Sequence, residues 1–254
     1  MTTTAPPRPP AGVVAGPRRS RGDVARTTAR VTGELCITLG AVVLLYLAWQ
    51  LWGTGLVTSR AQDGLRGQLD RQFAATRPGT AATNGGAASA GDAPTAPSAR
   101  TVPPGPAVAA PPDGHPLARL VIPAIGVDWV VVQGVALADL ADGPGHYPDS
   151  AMPGQVGNTA IAGHRTTHGA PFFRVADLTT GDPIQLRVPG RTYTYRVTST
   201  EIVQPGQVGV VAPVPDHPGV RPTRRLLTLT SCNPQYSARE RIVVHAELTS
   251  TRAS

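Results

Sequence analysis

Two hydrophobic patterns divide the chain. Residues 35–57, LCITLGAVVLLYLAWQLWGTGLV, run without a formal charge and are long enough, as a helix, to cross a hydrocarbon core of about 30 Å. An uncleaved anchor is favoured over a signal peptide, because the run exceeds the usual h-region and no A-x-A site follows it. From about Leu117 the apolar runs become short and turn residues separate them, which predicts a domain of β-strands.

Seven runs in this C-terminal part have the length and composition of strands. Their sequences are LARLVIP, VDWVVVQG, NTAIAGH, DPIQLRVPG, RTYTYRVTS, RLLTLTSC and RIVVHAEL. Val208–Val211 is a candidate eighth strand, and helical patterns are limited to short turns at 136–141 and 172–178. This many short strands predict an all-β barrel or sandwich.

The segment between the two patterns has its own composition. Leu65, Leu69 and Phe73 recur every four residues, which indicates a short juxtamembrane helix or an extension of the span. Residues 78–112 are mostly Ala, Gly, Pro, Ser and Thr, which bury too little apolar surface to order themselves. The predicted divisions are a basic cytoplasmic tail (1–34), an anchor (35–57), a juxtamembrane helix with a disordered linker (58–114) and a folded β-strand domain (115–250).

The charge distribution argues against a nucleic-acid partner. The formal charge is +7, but residues 115–254 contain twelve Arg against ten acids and no basic stripe interleaved with aromatics. All 23 basic residues are Arg, so no lysine is present as an amine nucleophile. The positive-inside bias around the span is slight, but a short tail before a long domain favours a cytoplasmic N-terminus and an extracellular domain.

The stretch LTLTSCNP carries the first candidate for chemistry. Alternation along the strand places Leu227, Leu229 and Ser231 on one face and Cys232 on the opposite, polar face. A free cysteine is commonly a buried small hydrophobe, but such a residue would be expected on the leucine face. Cys36, the other cysteine, lies in the apolar run, so a disulfide is not expected and a reactive thiol is favoured.

A thiol nucleophile needs an acid/base and a group that stabilises an oxyanion. Among six histidines, His164 ends the strand NTAIAGH, whose own face is lined by small side chains that leave room for an extended ligand. Arg241 opens the strand RIVVHAEL nine residues after Cys232, and the short connection between them could return it to the same end of the sheet. Arg239, two residues earlier, belongs to the connection itself.

With these segments in order, the sequence resembles the sortases, the membrane-anchored cysteine transpeptidases of Gram-positive surfaces. The family's TLxTC motif appears as TLTSC at 228–232, its histidine segment as AGHRTTHGAPF at 162–172, and its arginine as Arg241 in RERIVVHAEL. The resemblance covers about residues 115–248, and the short Cys-to-Arg spacing with the GPGHYP segment is similar to the class E branch. Ser231 departs from the family's usual Thr, which bears on substrate fit.

The resemblance implies an eight-stranded β-barrel and a cofactor-free, two-step reaction. Cys232 would cleave an LAxTG- or LPxTG-like sorting signal between Thr and Gly, and the thioacyl enzyme would pass the protein to a cell-wall peptidoglycan precursor amine. His164 would exchange protons with the two amines, and Arg241 would hold the oxyanion or the substrate backbone. Tyr147, Thr230 and Ser231 are the implied substrate-binding residues, and no acidic cluster in the sequence signals a metal site.

Other functions remain open at this point. A pilin-polymerising sortase would use the same chemistry with a lysine acceptor, and a non-catalytic sortase-like surface domain would keep the fold alone. An L,D-transpeptidase is disfavoured because TSCNP lacks a His-Gly-Cys-Arg setting, and the order of His before Cys disfavours a papain-like hydrolase. The long segment at 203–225, rich in Pro and Gly, is predicted to contribute to substrate discrimination.

Overall fold

A computed structural model describes residues 21–76 and 109–253. Residues 78–108 of the predicted linker (78–112) and the first twenty residues of the predicted tail lie outside the described residues. The chain divides between Leu47 and Ala48 into two compact units, and each is described by itself.

The N-terminal unit is helical and belongs to α1 (Arg21–Ala48). Its stretch Thr28–Ala48 is long and apolar enough to cross a membrane, judged by length and composition. This stretch begins before the predicted span at 35–57. It also ends earlier, at Ala48, because the helix passes there into a π-helical turn at Trp49–Gly53. Residues from Thr54 onward belong to a separate helix, α2 (Thr54–Thr76), of the second unit.

Eight strands of the second unit close into a barrel, as the sequence predicts. Their neighbour order is β1-β2-β3-β4-β7-β8-β6-β5, and β5 returns to β1. Most pairs are antiparallel, whereas β2 with β3 and β4 with β7 are parallel. The strands are β1 (Pro116–Ile122), β2 (Val127–Gln133), β3 (Gly145–His146), β4 (Gly157–Ala162), β5 (Pro183–Val188), β6 (Arg191–Val203), β7 (Arg225–Asn233) and β8 (Glu240–Ala253).

The eighth strand is not the predicted one. Val208–Val211 forms a 3-10 turn, in which Val210 packs against Val203 and Val243 instead of pairing with a strand. The place is taken by β3, only two residues long and without an apolar run that a periodicity could reveal. The short helical patterns are confirmed as α3 (Leu137–Asp142) and a 3-10 turn at Val175–Asp177.

The barrel interior follows the predicted alternation. Leu227 and Leu229 of β7 and Val244 of β8 are fully buried in one apolar cluster, and Ile242 and Ala246 belong to it. Their neighbours along β7 and β8 therefore face outward, away from this core. Cys232 and Arg241 are among these outward residues, which keeps both free of the packed interior.

Helix α2 packs against the outside of the barrel. Leu65 and Leu69 are buried against Val130 and Val132 of β2, and Phe73 covers the same cluster. The apolar stripe noted in the sequence is thus the contact face of a helix that belongs to the folded unit. Burial of this stripe in a single apolar cluster with β2 ties α2 to the barrel wall.

Gln62 of α2 fills a gap in the barrel's hydrogen bonding. Its Oε1 accepts from Val130 N at 2.8 Å, and its Nε2 donates to Val130 O at 3.0 Å and to Asp142 O at 2.8 Å. Strand β3 begins to pair with β2 only at Val132, so the side chain of Gln62 satisfies the backbone where no strand does. Thr58, one turn earlier, donates from Oγ1 to Ala141 O at 2.7 Å.

Candidate active site

Parallel pairing of β4 with β7 sets the positions of His164 and Cys232. Ala162 is the register partner of Thr230, and Gly163 N still donates to Thr230 O at 3.1 Å beyond the end of β4. His164 follows Ala162 by two residues and Cys232 follows Thr230 by two, so both lie at the same level of strands about 4.8 Å apart. The register thereby carries the backbone of His164 past the end of β4 beside the end of β7, where Cys232 lies.

Antiparallel pairing of β7 with β8 adds the third predicted residue. Cys232 and Arg241 are direct register partners. Alternation along both strands places them on the outer face, where opposed residues have Cβ atoms about 5 Å apart. The eight-residue connection between them returns the chain to this position, as the sequence indicates.

The guanidinium of Arg241 is oriented by its own connection. Its Nη1 donates to Ala238 O at 3.0 Å and to Glu240 O at 2.9 Å, and both bonds use that one nitrogen. Nε and Nη2 therefore keep N–H donors for an incoming oxygen. Arg239, by contrast, lies exposed in the connection.

The imidazole of His164 is partly buried and stacked on a second imidazole. The ring centroids of His164 and His168 are 4.6 Å apart, with an interplanar angle of 24°. Burial, and secondly the charge of His168, lower the pKa of His164 below its ordinary value of 6.5. The neutral, proton-accepting form is therefore favoured near neutral pH.

Local sequence explains why this histidine sits where it does. A methyl group added at Gly163 would lie 2.5 Å from Phe172 Cδ2, so only glycine admits the ring that closes the loop. Phe172 N then donates to His164 O at 3.1 Å. The packing of Phe172 on Gly163 and this hydrogen bond fix the backbone of His164 just beyond the end of β4.

Arg165 is a site residue that sequence reasoning missed. It is only 5% exposed, donates from Nη1 to Cys232 O at 3.1 Å and donates from Nε to Phe173 O at 2.9 Å. These bonds join the backbone of the thiol to the histidine loop. In the sequence, the signal for this role is that Arg165 directly follows His164. Chain position alone does not distinguish such an arginine from a solvated loop residue.

The three predicted substrate-binding residues take different positions. Tyr147 Oη lies 3.3 Å from Thr230 Oγ1, so these two side chains meet on the outer face beside Cys232. Ser231 is buried and its Oγ donates to Gly163 O at 2.8 Å, which ties β7 to the end of β4. Tyr147 is thus half-buried and covers the buried Thr230, whereas Ser231 lies between the two strands.

A further polar network continues along the same outer face. Thr228 Oγ1 donates to Asn158 Oδ1 at 2.8 Å and lies 3.0 Å from His245 Nδ1, while His245 Nε2 lies 2.9 Å from Glu201 Oε1. Ligand-type atoms of Glu201, Asp216 and His245 come within 4.8 Å of one another. The contact of His245 Nε2 with Glu201 is an ion pair when the ring is protonated.

A closed β-barrel with a thiol, an imidazole and a guanidinium at neighbouring strand ends is the arrangement expected of a thiol-dependent acyl-transfer enzyme. Comparison with known proteins agrees with this class. The sortase domain family matches residues 120–249, which include all three side chains.

Two curated relatives come from Streptomyces coelicolor. Sortase SrtE1 is 28% identical, with 97% of this chain and 65% of the relative covered, so the chain spans just under two thirds of that protein. Sortase SrtE2 is 30% identical over 92% of this chain and 87% of its own length. Among solved structures, sortase E from Streptomyces avermitilis is 38% identical over 56% of this chain and 93% of that chain, with a TM-score of 0.51.

The chain belongs to the sortase family. Sortases are cysteine transpeptidases, and their general role is to anchor proteins to the cell wall. The resemblance noted from the sequence is therefore confirmed at the level of family, fold and enzyme class.

Proposed function

We propose that the protein is a membrane-anchored sortase that cleaves an LAxTG- or LPxTG-like signal between Thr and Gly and joins the Thr carbonyl to a cell-wall precursor amine. The observation that carries this proposal is the register of three strands. Cys232 is the partner of Arg241 across β7 and β8, and the pairing of β4 with β7 ends at Ala162 and Thr230, two residues before His164 and Cys232.

In the first step the Cys232 thiolate attacks the carbonyl carbon of the signal's Thr. The carbonyl oxygen becomes an oxyanion, and the donors of Arg241 that its own connection leaves available stabilise it. The C–N bond to Gly then breaks, His164 gives its proton to the leaving amine, and a thioester to Sγ remains.

In the second step an acceptor amine attacks the thioester carbon. His164, now neutral, takes the proton of that amine, the C–S bond breaks, and a new amide releases Cys232. The lowered pKa of His164 suits the role of base in this step. The same shift makes the imidazolium needed in the first step a minority form near neutral pH, so we expect slow turnover.

Substrate selection is proposed to involve the outer face beside the thiol. Tyr147 and Thr230 meet there, and the segment at 203–225 runs over the same face, where Asn158 Nδ2 donates to Ala212 O at 3.0 Å. Exchange of this segment and a Tyr147→Ala change should each alter the LAxTG to LPxTG preference. An unchanged preference in both variants would show that selection lies elsewhere.

One experiment tests the reaction. The full chain is incubated with LAxTG and LPxTG peptides, and Cys232 is examined by mass spectrometry for a thioacyl adduct, with His164→Ala and Cys232→Ala as controls. Oligoglycine, diaminopimelate-containing and lysine-containing acceptors are then compared, and preference for the lysine-containing peptide would favour a pilin-polymerising enzyme. A Cys232 that forms no adduct with either signal would support the non-catalytic alternative.

Membrane orientation is a separate part of the proposal. An apolar helix at Thr28–Ala48, behind an Arg-rich tail, supports a single-pass anchor with the N-terminus cytoplasmic and the barrel extracellular. Protease treatment of intact cells should therefore cut the barrel domain. Survival of the domain while other surface proteins are cut, together with cleavage after lysis, would reverse the orientation.

A further inference from the structure

The outer face of the barrel carries a second feature, at the far end of β8 from the candidate active site. A cavity of about 640 Å³ lies there between the C-terminal part of α2 and strands β1, β5, β6 and β8. Four arginines line it, and we refer to Arg119, Arg187, Arg196 and Arg252 as the arginine groove. Arg252 lies eleven residues beyond Arg241 on β8, which is roughly 35 Å along the strand.

Strand register places three of these arginines in one row. Arg119 pairs with Arg187, Arg187 pairs with Thr192, and Thr192 pairs with Arg252. Their neighbours Leu120, Leu186 and Tyr193 point into the core, so the row faces outward. It crosses three strand spacings, about 14 Å, and puts the like charges of Arg119 and Arg187 directly opposite each other.

The described residues neutralise only part of this charge. Asp128 binds Arg119 with two hydrogen bonds of 2.6 Å, and Asp70 is the acid among the cavity's lining residues. Arg187 donates to the neutral amide oxygen of Gln185 at 2.8 Å.

Among the described residues, no carboxylate forms an ion pair with either of the remaining two arginines of the groove. Arg196 donates to the carbonyl oxygen of Gly181 at 2.6 Å. For Arg252, the described part of the chain supplies neither a hydrogen bond nor an ion pair. Glu247 is the register partner of Arg196 but is ion-paired with Arg224, so the described residues leave the groove with an excess of positive charge.

The linker is not the missing counter-charge. Residues 77–108 contain Arg77, Arg100 and Asp92, a net charge of +1. Hydroxyl groups of Thr194 and Ser250 line the groove between its cations, so its wall offers neutral hydrogen bonds as well as guanidinium groups. Guanidinium forks match phosphate oxygens with two parallel hydrogen bonds.

We propose that the arginine groove binds an extended polyol polymer with repeated phosphodiester groups. A row of cations about 14 Å long fits several charges of one chain better than it fits a single anion, and the hydroxyls fit the polyol between them. The site is separate from Cys232, so the polymer is neither donor nor acceptor in the reaction. It would hold the enzyme beside an anionic surface polymer, and this inference does not depend on the proposed reaction.

Binding is measured by fluorescence anisotropy with the full chain in non-ionic detergent and a labelled poly(glycerol phosphate) oligomer as the probe. The test variant combines Arg187→Gln with Arg252→Gln. Its control combines Arg60→Gln with Arg174→Gln, which removes the same charge from exposed positions outside the groove. A single Arg252→Glu variant, checked by thermal unfolding, gives a second readout at a residue whose loss disturbs no described contact.

We expect the groove variant to weaken binding by about a hundredfold, about tenfold for each lost charge-assisted contact, and the control by less than about threefold. Binding should also weaken steeply as salt is added. Equal binding by the groove and control variants, or no binding by the unaltered chain, would overturn the proposal. So would inorganic phosphate that competes as well as the polymer, or phosphatidylglycerol vesicles that bind through these arginines while the polymer does not.

Discussion

Gln62→Leu is the substitution that most directly tests how α2 belongs to the enzyme. The change keeps the approximate volume of the side chain but removes its three hydrogen bonds to Val130 N, Val130 O and Asp142 O. Gln62 is 2% exposed, so water cannot readily replace these partners. Each buried backbone group left unsatisfied costs about 1–3 kcal/mol, so for three groups we expect a loss of roughly 3–9 kcal/mol in the free energy of unfolding.

For a folded unit of this size, that loss corresponds to a fall in Tm of roughly 6–36 °C. The measurement is thermal unfolding of the full chain by circular dichroism in detergent. Gln68→Leu is the matched control, because it makes the same change at an exposed position of the same helix. If the two variants unfolded within about 2 °C of each other, the amide of Gln62 would not be holding the barrel, and the assigned role of α2 would be wrong.

Gln62→Glu separates the two halves of this interaction. A carboxylate keeps an acceptor for Val130 N but loses the donors to Val130 O and Asp142 O, and it adds a buried charge. We expect it to be at least as destabilising as Gln62→Leu at neutral pH. Recovery of stability as the pH falls toward about 4 would show that the buried charge is the larger part of the cost.

The remaining predictions concern the site and its histidines. Arg241→Lys should lower turnover of a sorting-signal peptide by about a hundredfold or more, because lysine lacks the planar donor fork. Arg239→Lys should keep turnover within a few-fold of the unaltered enzyme. The reverse order in steady-state kinetics would exchange the two roles. His168→Phe keeps a ring against His164 but removes the charge of His168, so the pKa of His164 should rise. The acid limb of the pH profile of kcat/KM should then move to higher pH. An unmoved limb would contradict the electrostatic coupling of the two histidines. Burial also lowers the pKa of His146 below 6.5, so the unfolded chain binds more protons than the folded chain near that pH. The stability from these two histidines is therefore present above about pH 6.5 and is lost as the pH falls. A Tm that rose as the pH was lowered from about 8 to about 5.5 would refute this sign.

The lowered pKa values of His146 and His164 have different meanings. His146 is fully buried, with Nδ1 at 3.0 Å from Gln133 Oε1 and Nε2 at 3.0 Å from Ser150 Oγ, so a neutral ring can donate to the first and accept from the second, which is a structural role. His164 is only partly buried and stands at the level of the thiol. Only the second shift is expected to appear in a kinetic profile, whereas both contribute to the pH dependence of stability.

The sequence by itself determined the features that depend on local periodicity and chain order. An uncharged apolar run marks the candidate anchor helix, and alternation along β7 predicts that Leu227 and Leu229 enter the core while Cys232 does not. The order of the His, Cys and Arg segments along the chain was enough to identify the family. Each of these signals spans a few residues, or depends only on their order, so no knowledge of long-range pairing was needed.

Only the tertiary structure decided the features that depend on contacts between distant segments. The parallel pairing of β4 with β7, the two-residue strand β3 and the bond from Arg165 to Cys232 O leave no periodic trace. Gln62 and Val130 are 68 residues apart, and the row of arginines depends on the register of four strands. Gln62 satisfies backbone groups of a distant segment, and the positions of those groups are set only once the barrel has closed. For this physical reason a local sequence pattern does not reveal such a contact.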